Sequence, residues 1–183
     1  MKKTTRPLLF ALLLMSVFAF TTSDKWYLYE SKPFSFKVEF PDKPTEKTKV
    51  LNTAEGDLNL NLFEYVAHKT ETEPALVYIV SYIEYPIATV NSDDKKKLKE
   101  LYKKMTDDVV AKVQGKLIKE TLITLEGYEG VESRIEMKDG TEFIKLRSYL
   151  IHNKLYMVET VTETKNETHK SITKFMDSFK LIK

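Results

Sequence analysis

The chain of 183 residues has no cysteine. That absence excludes disulfides, thiol nucleophiles, thiolate metal sites and acylation on cysteine together. It does not argue against export, because a domain of this size needs no covalent staples. Glycine is scarce, with five residues (Gly56, Gly115, Gly127, Gly130, Gly140), all in or near predicted turns, so no phosphate-cradling loop or dinucleotide fingerprint is present. Arginine is scarcer still, with no cluster of the kind that tracks a phosphate backbone, and nucleic acid is not an expected partner. The three histidines, His68, His152 and His169, stand far apart and none has a metal-ligand spacing around it. Ser133, Ser148 and Ser178 have no adjacent base, and no serine lies in G-x-S-x-G. No catalytic, cofactor-binding or metal-binding residue is singled out, and no cofactor is called for. A carboxylate pair assembled by the fold stays open, because such pairs are spatial rather than sequential.

Long hydrophobic runs are also missing. The longest largely apolar stretch, Leu8 to Phe20, follows Lys2, Lys3 and Arg6 and is short of the roughly twenty residues that span a bilayer. It has the length of a signal-peptide core, with cleavage expected after Thr21 or Ser23; an uncleaved N-terminal anchor is the alternative. The expected organisation is a signal peptide over 1–23 and one domain over 24–183, periplasmic or secreted, with no stable membrane anchor after cleavage. Residues 1–23 hold three basic and no acidic side chains, so the formal charge of +2 becomes −1 without them. The apparent basicity belongs to the leader.

What is present is alternation. Phe34, Phe36, Val38 and Phe40 take every second position before Pro41, a strand with one buried face. Trp26 to Tyr29 reads as a short edge strand, with an exposed aromatic patch as the alternative. Lys47–Leu51 and Leu58–Val66 follow as strands about a turn at Gly56, with Leu58, Leu60, Leu62 and Val66 on one face and Phe63 and Tyr65 on the other. Leu76–Tyr85 is apolar on both faces, as expected of a strand covered on both sides. Asn91 to Asp94 supply caps and first-turn carboxylates for a helix whose stripe runs Leu98, Leu101, Tyr102, Met105, Val109, Val113, and Gly115 ends it. Its outer lysines are interleaved with Glu100, Asp107 and Asp108 and read as a solvated, self-neutralising face.

Leu117–Leu125 and Tyr128–Met137 are two further strands, and Lys138-Asp139-Gly140 is an Asp-Gly turn. The chain is organised around the hairpin Phe143–Thr162 and the amphipathic helix after it, with Ile172, Phe175, Met176 and Phe179 on one side. A two-residue loop at Asn153–Lys154 pairs Ile151 with Tyr156 and Tyr149 with Val158. Both hairpin faces are then apolar. One is expected to meet the Ile172–Phe179 helix, the other the long helix or the N-terminal strands.

Phe36-Lys37-Val38-Glu39-Phe40-Pro41 with Pro44, the run Leu155-Tyr156-Met157-Val158 and the closing Phe175-Met176-Asp177-Ser178-Phe179 are similar to the corresponding parts of small exported bacterial proteins of the PsbP-like, Mog-type fold. The resemblance implies an α+β architecture: an α/β/α sandwich with a mainly antiparallel central sheet, one long helix and one short C-terminal helix. Its relatives act by docking to partners, and it brings no catalytic residue to carry over. The expected function is a non-catalytic exported domain binding a protein partner at the cell envelope. A carrier of a small apolar ligand between sheet and helix, and a hydrolase with a spatial acid pair, are the alternatives. Tyr78, Tyr82, Tyr149 and Tyr156 fall in strands and read mostly as core or half-buried residues with wetted hydroxyls, with an aromatic-lined groove for a ligand or peptide as the functional alternative.

Overall fold

The computed structural model describes residues 25–53, 56–68, 76–137 and 140–182. The expected signal segment over 1–23 lies outside these residues, as do Lys138 and Asp139 of the expected Asp-Gly turn.

Among the described residues, period-two alternation produces ten strands: β1 Tyr27–Ser31, β2 Phe36–Phe40, β3 Thr45–Thr53, β4 Gly56–Ala67, β5 Leu76–Glu84, β6 Lys116–Leu125, β7 Tyr128–Met137, β8 Glu142–Ile151, β9 Lys154–Glu163 and β10 Lys180–Leu181. The two amphipathic segments are helices, α1 Lys95–Lys112 and α2 Lys170–Ser178. Seven strands form one sheet in the order β3-β4-β5-β9-β8-β7-β6, with antiparallel neighbours throughout. The hairpin β8–β9 therefore occupies its centre. The remaining three make a small sheet, β1-β2-β10.

The large sheet is covered on both sides, as its two-faced central strands require. Tyr78, Val80, Tyr156 and Val158 bury against α2 and the small sheet, where Phe36, Phe40, Phe175 and Phe179 form an aromatic core. Ile83, Leu150 and Leu155 bury against Leu98 and Tyr102 of α1. The architecture is the expected α+β sandwich. The N-terminal strands lie on the same side as α2, because β10 returns to pair with β2 (Lys180 with Lys37) and Ile182 N donates to Ser35 O at 2.9 Å.

Three local expectations are corrected. The β8–β9 loop is His152–Asn153, so Ile151 pairs with Lys154, Leu150 with Leu155 and Tyr149 with Tyr156. The cause is tertiary. Ser92 N donates to His152 O (2.8 Å), Tyr85 N to Asn153 O (2.9 Å) and the Asn153 amide to Tyr85 O (2.6 Å), so the β5–α1 connection holds this turn from outside the hairpin. His152 takes φ 55° there.

The α1 stripe is rotated from the expected one. Leu98, Tyr102 and Thr106 are its buried residues, while Leu101 and Met105 are half-buried at its flank. Thr106 is admitted to the interior because its hydroxyl meets Ser133 Oγ at 3.2 Å and donates to Glu120 at 3.1 Å.

The end of α1 also differs. Gln114, at φ 51°, takes the left-handed position, and Gly115 is needed for close approach instead: a Cβ there would stand 2.4 Å from Glu136 O. At the other end Asp94 is the N-cap, accepting from Lys97 N at 3.1 Å, and the first turn itself holds no acid.

Candidate functional site

The β1–β2 loop carries Phe34 across the outer part of the large sheet, on the side of α2. Two contacts fix it. Tyr156 Oη donates to Phe34 O at 2.9 Å, and the Phe34 ring meets Tyr82 with centroids 4.8 Å apart and Phe63 at 5.6 Å. Tyr29 extends the cluster, 5.1 Å from Phe63. Phe34 itself is only half-buried.

On either side of this ring lies a hollow. One, of about 190 Å³, is lined by Phe34, Glu46, Thr48, Asn61 and Phe63 together with Lys47. The other, of about 260 Å³, is lined by Phe34, Asp57, Leu58, Asn59, Asn61, Tyr82 and Glu84. Phe34 and Asn61 are common to both, so together they form one cleft divided by a phenyl ring. Strand alternation explains the lining: the register places Asn59, Asn61 and Phe63 of β4 on the face away from α1, while Leu58, Leu60 and Leu62 point towards it.

The electrostatics of the cleft are one-sided. Tyr82 Oη donates to Glu84 at 2.8 Å, and Glu46 lies near the Tyr29 hydroxyl. Burial pushes both phenols well above the ordinary tyrosine value, and the neighbouring carboxylates push further in the same direction. Both hydroxyls therefore stay protonated, and that of Tyr82 acts as the donor that aims Glu84. Asp57 is held by the Asn52 amide at 2.7 Å. Asp57 and Glu84 are each oriented by a neutral donor, and among the described residues none of Glu46, Asp57 and Glu84 closes an ion pair, although the register sets Lys154 opposite Glu84. Lys47, the cation at the rim, is paired with Glu64 at 2.9 Å.

A second polar cleft on the same face shows the contrast. It is lined by Lys119, Glu132, Arg134, Lys145 and Glu167 among others, with a volume of about 250 Å³. Its acids are matched: Glu132 accepts from Arg147 at 2.6 Å and lies 3.5 Å from Lys145, and Glu167 accepts from both Nε and Nη2 of Arg134. Arg147 also reaches Asp177 of α2 at 2.8 Å. This network clamps α2 and the turn before it to the sheet and leaves little unmatched charge.

The residues weighed in the sequence fall elsewhere. Tyr78, Tyr149 and Tyr156 are buried in the aromatic core, and of the four weighed tyrosines Tyr82 borders the cleft. His68 is exposed beyond β4; His152 meets Tyr128 Oη at 3.0 Å; His169 caps α2, accepting from Ser171 N at 3.4 Å. They do not converge, and among the described residues no group of three metal-ligating side chains occurs. Ser133 binds Thr106 and Glu120, and Ser178 donates to Phe175 O. Sequence reading passed over Glu46, Asn59, Asn61 and Glu84. The available signal was in β4, where amides alternate with leucines: a face of asparagines on a long strand is unusual when nothing polar faces it.

No protein-family model matches the chain, and no curated protein matches it. Among solved structures it is similar to the solution structure of cyanobacterial PsbP (CyanoP) from Synechocystis sp. PCC 6803, with a TM-score of 0.56 and 16% identity, covering 86% of this chain and 93% of that one. The chain has a PsbP-like fold. At this identity the likeness concerns the fold alone.

Proposed function

We propose that this chain is a non-catalytic exported domain that docks a protein partner at the cell envelope, and that the divided cleft around Phe34 receives a basic side chain of that partner. The observation that carries the reading is the pairing of aromatic walls with acids that close no ion pair among the described residues. Phe34, Phe63 and Tyr82 line the two hollows, and Glu46, Asp57 and Glu84 stand around them without closing an ion pair among the described residues. A lysine or arginine satisfies both features at once, its charge lying against ring faces and carboxylates and its stem against Phe34. The Asn59 and Asn61 amides supply hydrogen bonds to the backbone of the segment that carries it. The hollows hold no activated nucleophile: the Thr48 hydroxyl donates to Asn61 at 2.9 Å and has no base beside it. Export rests on the leader-like N-terminus.

The test is calorimetric titration of the full chain with a lysine-bearing hexapeptide and with the same peptide carrying norleucine in its place. The lysine peptide is expected to bind, and Glu84→Gln and Phe34→Ala to weaken it by about tenfold each. Equal binding of the two peptides, or affinity untouched by both substitutions, refutes the proposal.

A further inference from the structure

The Phe34 ring splits its cleft into two hollows of like chemistry. The hollow towards β3 is lined by Glu46 with Phe34 and Phe63, and the one towards β5 by Asp57 and Glu84 with Phe34 and Tyr82. Liquid water takes up about 30 Å³ per molecule. Volumes of about 190 and 260 Å³ therefore leave room in each hollow for a long side chain. The partition between them is held in place, because Tyr156 Oη donates to Phe34 O at 2.9 Å and the ring packs on Tyr82 and Phe63. One basic side chain occupies one hollow and leaves the acid of the other unanswered.

Two cations of the chain stand near these acids. Lys47, which lines the first hollow, is paired with Glu64 at 2.9 Å. Lys154 stands opposite Glu84 in the β5–β9 register but closes no ion pair with it among the described residues, and Glu84 accepts from Tyr82 Oη instead. Asn61 lines both hollows and so marks where they meet. Its Oδ1 accepts from Thr48 at 2.9 Å, which leaves the amide N–H groups as what it offers a guest. A donor there suits a backbone carbonyl and not a lysine or arginine head, which has no acceptor.

The spacing is set by β4. Phe63 and Asn59, which line different hollows, are four residues apart on this strand, about 13 Å at the rise of a strand. Same-side residues of an extended segment start about 7 Å apart, and two long side chains diverging around the ring cover the rest. We propose that the docked segment is dibasic: two lysines or arginines separated by one residue straddle the Phe34 ring, one beside Glu46 and the other beside Glu84 and Asp57. This rests on the reading that the cleft receives a basic side chain, and adds a second cation and its spacing. A backbone carbonyl between the two meets the Asn61 amide. Once the first side chain is bound, the short tether holds the second at a millimolar effective concentration, so the pair binds as a unit.

The probes are three blocked glycine hexapeptides, titrated calorimetrically into the full chain at one salt concentration. One carries a single lysine with norleucine in the second position, one carries two lysines separated by one residue, and one carries two adjacent lysines. Adjacent side chains of an extended segment point to opposite sides, so the third peptide matches the second in charge and not in geometry. The separated pair is expected to bind at least about tenfold tighter than the single lysine and at least about threefold tighter than the adjacent pair. Glu46→Gln should bring the separated pair down to the single-lysine level and leave the single-lysine peptide, which takes the hollow of Glu84, unchanged. Equal affinity of the separated and adjacent pairs overturns the proposal, since net charge alone then attracts the peptide. Equal affinity of the separated pair and the single lysine overturns it too, while leaving the single-side-chain reading in place. A separated pair untouched by Glu46→Gln has the same consequence. Failure of every lysine peptide to bind removes the proposal together with the reading beneath it.

Discussion

Glu159 offers the sharpest test of the packing between sheet and long helix. It lies on β9, the central strand, opposite Ile79 on one side and Leu146 on the other, and shares a face with Met157 and Val161, which pack into the cores under α1. Burial pushes its carboxyl up to about 7, and Lys112 at the end of α1 pulls in the other direction. Between the ordinary glutamate value of 4.5 and about 7, the folded chain holds a proton on this group that the unfolded chain has lost. Stability therefore falls as pH rises through that window, and below it the group contributes nothing. The full displacement corresponds to about 3 kcal/mol. Glu159 is half-buried, so solvent screening reduces the expected effect to about 2 kcal/mol at pH 8. Glu159→Gln keeps the shape and cannot ionise. Urea unfolding from pH 5 to pH 8 should show the variant equal to or slightly below the parent at pH 5 and more stable by about 2 kcal/mol at pH 8. A difference that does not change with pH, or that grows towards acid, refutes the burial of this carboxyl under α1.

Other outcomes follow from individual contacts. Tyr102 Oη donates to Glu129 O at 2.7 Å and accepts from Leu150 N at 2.8 Å, so Tyr102→Phe leaves two backbone groups without partners and should cost about 2–3 kcal/mol in chemical denaturation; a loss below about 0.5 kcal/mol would mean that water replaces the hydroxyl. Leu98→Ala should cost about 2–4 kcal/mol and Leu101→Ala no more than about 1, and the reverse order would restore the unrotated stripe. The intact mass of exported protein should correspond to an N-terminus near Asp24, whereas full-length chain in the membrane fraction would identify an uncleaved anchor.

The central hairpin, the two-sided burial of its strands and the two helices were legible because each depends on short-range periodicity. What escaped depends on groups distant in sequence. The hairpin register is decided at His152 and Asn153 by Ser92 and Tyr85, which no local pattern of the loop contains. The rotation of α1 is decided by Thr106, a polar residue that hydrophobic counting skips and that becomes an interior residue only when Ser133 and Glu120 meet it. Phe36, Val38 and Phe40 announced a buried face, but alternation does not say which sheet owns a strand. For the cleft, sequence held the amides of β4 and the acids Glu46 and Glu84. Their convergence on Phe34 depends on a loop closed by Tyr156 from 122 positions away.

The pairing of β10 with β2 constrains the order in which the chain can fold. The small sheet joins residues near the start of the described chain to residues near its end, and Glu39 N donates to Ser178 Oγ across 139 positions of sequence. The aromatic core closes only when α2 arrives, since Phe175 and Phe179 complete the contacts of Phe40 and Phe36. A nascent chain that has already made β1 through β9 still lacks that lid, and its Phe36–Phe40 face has only the rings of Tyr29, Phe63 and Tyr156 to bury against. Contacts of such long sequence separation are entropically costly to form and slow folding. The small sheet and its aromatic core can therefore close only once α2 and β10 have been synthesised.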